Sequence, residues 1–506
     1  MARRTAVALG ALLIAATALY SWRLAEVPAY LMHDEVNFAL QAQALASTGR
    51  DTNGRLLPVY FSETGFEAGR DPVMIYVTAL MFTLWPLSES AVRLPTVLTG
   101  MVSVGLMFLV ARRLFRSDAL GLAAAALLAV TPGLFINSRL ALSITYPIPF
   151  ILAWLWCVTR FLAGGDRRHL FGAGFVLGVG MYTYVASLIM MPLYLAFTMM
   201  IVGRERRTLA WAAVLGFAVA LVPMGAWQLM HPDRYLNLLQ AYQVQDAARG
   251  PSFASRLGTF WMFFNPDYLF LSGDSRLTNS TRTAGLFPLA CAAFIPVGVY
   301  QLWRGRNNAL GQCILAGFLT APLATVISGR LEINRVLNAI PFGVLVAVYG
   351  VTALLSARRP SIRFLTRALM LSVVLQFGFV YADYMTAYRT RSAPWFGGDA
   401  RGAIADILAR VQSAPVYLDG RTPMERYWRF YALARGTTAL VDRPTYYDAH
   451  DFKPSEAPAG ALLACAHGDL VCRALGDRGD WRRISSRTEP DATTSFEVFE
   501  KTHPDQ

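Results

Sequence analysis

From Thr5 to Ala382 the chain alternates long apolar stretches with short polar turns, most of them rich in arginine. Thr5–Trp22, Pro95–Ala111, Ala119–Ile136, Ile144–Leu162 and Leu209–Met230 are nearly free of charge. So are Ala284–Trp303, Leu310–Ile327, Val336–Leu355 and Phe364–Ala382. As helices, such stretches match a hydrocarbon core of roughly 30 Å. Two shorter ones, Leu170–Val185 and Ser187–Val202, turn near Tyr182-Thr183-Tyr184, and the expected total is about eleven spans. Pro72–Leu87 is apolar too. Counted as a span, it would put Arg112–Arg116 outside, against the bias of arginine and lysine to the inner face, so it is read as a helix lying along the outer interface. The first stretch is read as an uncleaved span rather than a signal peptide, with the amino end inside.

Beyond Asp383 the pattern changes to that of a soluble domain. Ala400–Val411 has an amphipathic period, Pro415–Leu418 reads as a short buried strand and Glu425–Ala434 as another helix. The predicted organisation is a membrane domain over residues 1–385, with a first outer loop at about 23–94, and a small extracytoplasmic α/β domain over residues 386–506. The fold class is a polytopic α-helical membrane protein.

Composition agrees. Of 506 residues, 55% are hydrophobic and 16% charged, with a mean hydropathy of +0.39; soluble domains carry about 25% charged residues. The net charge of +13 does not point to nucleic acid, because the arginines sit in runs between apolar stretches. That arrangement orients the chain in the membrane and favours anionic lipid. Cys157, Cys291 and Cys313 lie in apolar stretches and read as packing. Cys465 and Cys472 lie in the tail, where a disulfide and two free thiols both remain open.

The candidate chemistry lies just past the first span, at Leu31-Met32-His33-Asp34-Glu35-Val36-Asn37-Phe38. Two adjacent carboxylates near a bilayer surface are costly, which makes them a functional candidate. The competing reading is an ordinary helix start running to about Ser47, with Asp34 as cap and Glu35 in the first turn. Local sequence leaves both open. His33 reads as a packing neighbour, since no second histidine stands at a ligand spacing.

Several further stretches follow in order. Thr48-Gly49-Arg50-Asp51 leads to Leu57-Pro58, then come Arg70-Asp71-Pro72-Val73-Met74-Ile75-Tyr76 and Ala91-Val92-Arg93-Leu94-Pro95. Asn137-Ser138-Arg139 and Asn334-Arg335-Val336-Leu337 lie in later outer loops. With Asp34-Glu35, this series resembles the GT-C superfamily of glycosyltransferases, in particular the bacterial branch of protein O-mannosyltransferases and lipid A aminoarabinose transferases, over roughly residues 1–385. The resemblance implies a GT-C fold in the bacterial cytoplasmic (inner) membrane with its active site facing the periplasm. It implies an inverting transferase that moves a sugar from a polyprenyl-phosphate carrier to a lipid, glycan or protein acceptor. Asp34 would be the base and Glu35 its supporting partner, and Arg70, Arg139 and Arg335, with Arg330 behind them, would stabilise the departing phosphate. Tyr182 and Tyr184 are candidates to bind sugar or phosphate, against the alternative of an aromatic belt. No metal is required for a monophosphate leaving group; a diphosphate donor would call for a divalent cation.

Two departures stand out. Arg70-Asp71 replaces the family's Lys-Pro, placing a negative charge beside the expected cation, and Leu142-Ser143-Ile144-Thr145-Tyr146 lacks the carboxylate that relatives carry near their second outer loop. Two other readings fit parts of the pattern: a polyprenyl-lipid or solute transporter, and a non-catalytic envelope-assembly scaffold. A transporter would be expected to show an inverted repeat and ionisable groups within the spans, and neither is evident.

Overall fold

The computed structural model describes residues 3–63, 66–203, 207–232, 252–305, 308–411 and 413–502. The chain divides into two compact units. Met1–Trp22, Arg55–Val77 and Arg93–Ala382 form a helical unit, and Arg23–Gly54, Thr78–Val92 and Asp383–Gln506 form a sheet unit.

The chain begins with α1 (Arg3–Ser21), α2 (His33–Thr48), the hairpin strands β1 (Phe61–Glu63) and β2 (Phe66–Arg70), and α3 (Pro72–Phe82). It continues through α4 (Glu89–Phe115), α5 (Asp118–Ala129), α6 (Pro132–Ser138), α7 (Pro147–Gly164), α8 (Arg167–Gly180), α9 (Ser187–Gly203) and α10 (Arg207–Met230). Among the described residues, six helices are long and apolar enough to cross a bilayer: Arg3–Ser21, Glu89–Phe115, Ser143–Gly164, Leu209–Met230, Ala309–Val326 and Pro360–Met385. A seventh is reached if α5 and α6, bent by 57°, make one span. By length and composition the expected count of about eleven is not confirmed among the described residues, and helix length is the reason. The stretches expected at Leu170–Val185 and Ala284–Trp303 form helices of 14 residues, Arg167–Gly180 and Cys291–Arg304. Fourteen residues rise only about 21 Å. The helix α3, at 11 residues, is likewise too short to cross by itself.

The bend between α5 and α6 follows from Thr131-Pro132, since proline removes a backbone donor and its ring blocks the preceding turn. The carbonyl of Ala129, at the end of α5, accepts a hydrogen bond from the Tyr20 hydroxyl at 2.8 Å instead. Elsewhere small residues let helices approach closely. A Cβ added at Gly174 would run into the backbone of Ala213, and one at Gly216 into that of Phe171, so α8 and α10 meet backbone to backbone. Trp154 lies at the centre of the helical unit, fully buried, stacked on Tyr194 at 5.2 Å and donating to Thr198 at 2.8 Å.

The sheet unit is built on a five-stranded mixed sheet. β3 (Val416–Asp419) pairs in parallel with β4 (Thr445–Tyr447) on one side and β5 (Leu462–Ala466) on the other. β7 (Thr494–Lys501) then runs antiparallel to both β5 and β6 (Trp481–Thr488). The strand expected at Pro415–Leu418 is β3, and the helices expected at Ala400–Val411 and Glu425–Ala434 form over Ala400–Leu408 and Met424–Ala434. The latter supplies the crossover that a parallel β3–β4 pair needs. A disulfide joins Cys465 on β5 to Cys472 on the following helix, Leu470–Gly476. In the same unit Met424–Ala434 packs on α2, and the Tyr427 hydroxyl donates to the carbonyl of Leu31 at 2.8 Å.

Candidate active site

In the helical unit, the polar turn Glu332-Ile333-Asn334-Arg335 is held by two largely buried carboxylates. The Arg335 N–H donates to the carbonyl of Glu332 at 3.0 Å and closes the turn. The Glu332 carboxylate meets Arg335 Nη2 at 3.4 Å and Arg276 Nη1 at 3.3 Å. Asp274 accepts the N–H of Ile333 at 2.8 Å and that of Arg276 at 3.1 Å. Downstream, the side-chain amide of Asn338 donates to the Tyr194 hydroxyl at 3.2 Å. This framework fixes where Asn334, Arg335 and Asn338 stand.

Together with Tyr184 and Ser187 they line a small cavity of about 10 Å³, the room one water needs. Three polar atoms there, Arg335 Nη1, Asn334 Oδ1 and Asn338 Oδ1, are buried without a hydrogen-bond partner among the described residues. Each such atom costs about 1–3 kcal/mol if it stays unpaired. One donor and two acceptors, all on residues that line this hollow, therefore suit a polar guest such as a water or a ligand oxygen. The structure thus brings together two residues nominated from sequence, Arg335 and Tyr184, and adds two that sequence reasoning missed, Asn334 and Asn338. The only local signal for Asn334 was its place beside the arginine.

Tyr182 has a different neighbourhood from Tyr184. Its hydroxyl donates to the carbonyl of Ala220 at 2.9 Å and accepts from the N–H of Met224 at 2.9 Å. Those are partners four residues apart in α10, one turn around Pro223, so the phenol has inserted into the helix ladder and satisfies both halves. Tyr182 also borders an apolar groove of about 490 Å³ lined by Leu57, Pro58, Pro72, Tyr76, Val219 and Pro223 among others.

Arg139 is wholly buried, donates from Nη1 to the carbonyl of Tyr20 on α1, and lies over the Phe135 ring with 5.9 Å between guanidinium and centroid. Arg70 closes β2, and its side chain lies outside the described residues. Its neighbour Asp71 accepts a hydrogen bond from the Ser143 hydroxyl at 3.2 Å. The stretch 139–146, which has no carboxylate of its own, thus acquires one from Asp71. No local sequence signal announces a contact between residues so far apart along the chain.

The acidic pair belongs to the sheet unit. The helix α2 begins at His33, two residues earlier than a cap at Asp34 would require, and its cap is Met32. Glu35 is fully buried and its carboxylate accepts the N–H of Met32 at 2.9 Å, reaching back across the first turn. Asp34 is part-exposed, with a carboxylate oxygen 3.6 Å from His33 Nε2. The adjacent acids have separated duties: one closes the helix end, and the other keeps access to solvent. The same unit buries a second acid: Glu89 pairs with Arg401 at 3.0 Å and accepts from the Tyr431 hydroxyl at 2.7 Å. Burial and then that carboxylate push the Tyr431 phenol well above its usual range. Among the described residues no three His, Cys, Asp or Glu side chains converge as a metal-ligand set.

Residues 69–227 match the family model of the dolichyl-phosphate-mannose-protein mannosyltransferases. No curated protein matches the chain by sequence. Among solved structures, apo ArnT from Cupriavidus metallidurans superposes with a TM-score of 0.62 at 16% identity, covering 97% of this chain and 98% of that one. The same enzyme bound to undecaprenyl phosphate gives 0.63 at 15% identity, with 98% of each chain covered. The archaeal oligosaccharyltransferase AglB from Archaeoglobus fulgidus, in complex with an inhibitory peptide and a dolichol-phosphate, gives 0.51 at 13% identity over 89% of this chain and 65% of that one. At such identities the likeness speaks for the fold.

Proposed function

We propose, from the GT-C glycosyltransferase fold that this chain carries, that it transfers a sugar from a polyprenyl-phosphate carrier to an acceptor hydroxyl at the outer face of the cytoplasmic membrane. The observation that carries the reading is the cavity at Arg335, where a guanidinium donor and two amide oxygens are buried and unmatched among the described residues. A sugar phosphate has complementary groups, anionic oxygens for the guanidinium and hydroxyls for the amide oxygens, and these would meet the Arg335 turn once the water-sized hollow widens. The apolar groove bordered by Tyr182 suits an isoprenoid tail, which has to remain in an apolar medium while its phosphate reaches polar groups. That similar folds have been solved with undecaprenyl phosphate and with a dolichol-phosphate supports the carrier class.

Inversion proceeds as one displacement. The acceptor oxygen attacks the anomeric carbon as its proton passes to a carboxylate, and the bond from that carbon to the phosphate oxygen breaks. Polyprenyl phosphate departs with the electron pair. Asp34 is the assigned base, because Glu35 is committed to the helix end while Asp34 retains access to solvent. Arg335 is the assigned phosphate cation and Tyr184 the assigned sugar contact. Arg70 remains a candidate phosphate cation, and Arg139 is a weaker one given its burial against α1.

The test is transfer from a polyprenyl-phosphate-linked sugar by membranes containing the protein, with products identified by mass spectrometry of envelope lipids, glycans and proteins. Asp34→Asn should lower turnover about 10²–10⁴-fold, the usual contribution of a positioned base. Full activity in Asp34→Asn would remove the base assignment. A chain that accumulates no glycosylated product under any donor would refute the transferase reading itself.

A further inference from the structure

At the Arg112–Arg116 end of α4 the helical unit opens a second cleft, of about 750 Å³, which shares no lining residue with the cavity at Arg335. Four arginines line it, Arg112, Arg113, Arg116 and Arg160, against a single carboxylate, Asp118. That carboxylate is already engaged: Arg112 Nε lies 2.5 Å from one oxygen, and the Thr5 hydroxyl donates to the other at 2.8 Å. The remaining three arginines meet no acid that lines the cleft. Arg160 lies over the Trp156 ring at 5.5 Å, and its Nε is 3.4 Å from His169 Nε2, neither of which supplies negative charge. Arg113 is acted on by the positive charges of Arg160 and Arg112, and its Nη1 is buried without a hydrogen-bond partner among the described residues.

Like charges gathered beside a membrane interior repel one another unless an anion joins them. The planar fork of a guanidinium matches phosphate oxygens in paired hydrogen bonds, and three such forks around one cleft exceed what a single carboxylate would use. Leu109, Leu114, Leu162 and Leu310 add an apolar surface beside the cationic one, and Thr159 and Asn308 add neutral polar groups. We infer that this cleft binds a phosphate group, carried by a lipid headgroup of the inner leaflet or by a soluble phosphate ester. The bias of arginine to the inner face places it on the cytoplasmic side, where anionic headgroups and soluble phosphates are both at hand.

The experiment uses the full chain in detergent, titrated with phosphatidylglycerol or phosphatidylcholine and read by native mass spectrometry. The wild-type protein should retain one phosphatidylglycerol and prefer it clearly to phosphatidylcholine. A guanidinium near an anionic surface is worth about a fivefold change in affinity, so Arg113→Gln with Arg160→Gln should weaken retention about thirtyfold. Arg116→Gln, at an exposed position that leaves the buried turn intact, should weaken it about fivefold. Millimolar inorganic phosphate separates the two sources: displacement of the lipid assigns the cleft to soluble phosphates as well, and its failure assigns it to the headgroup. Equal retention of the two lipids by the wild type, with no binding of inorganic phosphate, overturns the proposal. So does an unchanged preference in Arg116→Gln together with the double variant. Should the double variant fail to fold, the wild-type lipid comparison and Arg116→Gln decide between these outcomes.

Discussion

Two buried guanidinium groups in the helical unit have different surroundings. Arg139, at the end of α6, is wholly buried, with the Tyr20 carbonyl and the Phe135 ring as neighbours, and so ties the bent α5–α6 pair to the end of α1. Arg335 ends a short turn braced by Glu332 and Asp274, lines a small cavity and keeps one nitrogen without a hydrogen-bond partner among the described residues. A buried cation that joins backbone segments holds the fold. A buried cation held by neighbouring carboxylates is preorganised for something that is not part of the chain. Braced in advance, such a donor needs no reorganisation when charge develops on a leaving group.

The contrast breaks most sharply under parallel substitution. Arg335→Gln should lower transfer about 10²–10³-fold, as loss of one preorganised donor does elsewhere, with the thermal unfolding midpoint close to that of the wild type. Arg139→Gln should do the reverse. Removing a charged donor from a buried carbonyl costs about 2–3 kcal/mol, so unfolding should shift markedly while turnover per folded molecule stays near that of the wild type. Measuring turnover against folded fraction for both variants decides it, and a large loss of turnover in well-folded Arg139→Gln would place that residue in the chemistry after all. A smaller effect separates the two tyrosines of the α8–α9 turn. Tyr182→Phe leaves the Ala220 carbonyl and Met224 amide beside Pro223 without their bridge, which should cost about 1–2 kcal/mol of stability and little turnover. Tyr184→Phe should move the KM for the donor and leave stability alone.

How far the sequence discloses this contrast depends on the range of the interactions. The long spans were legible, because a run such as Phe364–Ala382, with Arg367 as its one charge, has few alternatives to a helix, and the structure extends it to Pro360–Met385. The elements of the tail were legible from local period and propensity in the same way. Breaks and shortfalls were not: Thr131-Pro132 divides an apolar run that reads as one span, and residues 284–290 precede their helix rather than extend it. In the site, the sequence marks Arg139 and Arg335 identically, each an arginine at the edge of an apolar stretch. What distinguishes them comes from far along the chain: Tyr20 for one, Asp274 and Arg276 for the other. The approach of Asp71 to Ser143 and the gathering of Tyr184 with Asn334 and Asn338 are hidden for the same reason. Pairing of Cys465 with Cys472 was left open because spacing alone does not say which way two strand and helix positions face.

The smallest effect tests the same distinction within a single dipeptide. Glu35 accepts the Met32 N–H at the start of α2, while its neighbour Asp34 is part-exposed beside His33. A helix start closed by a side chain loses about 1 kcal/mol when the cap is removed, so Glu35→Ala should destabilise the protein by roughly that amount. Glu35→Gln should not, because an amide oxygen accepts the same backbone hydrogen bond. Glutamine at 35 therefore separates geometry from charge. If Glu35 serves the helix, Glu35→Gln keeps both stability and turnover, and Asp34→Asn alone abolishes transfer. If Glu35→Gln folds normally and still loses turnover as severely as Asp34→Asn, the negative charge at 35 participates in the reaction, and the division of labour between the two acids has to be reversed or shared.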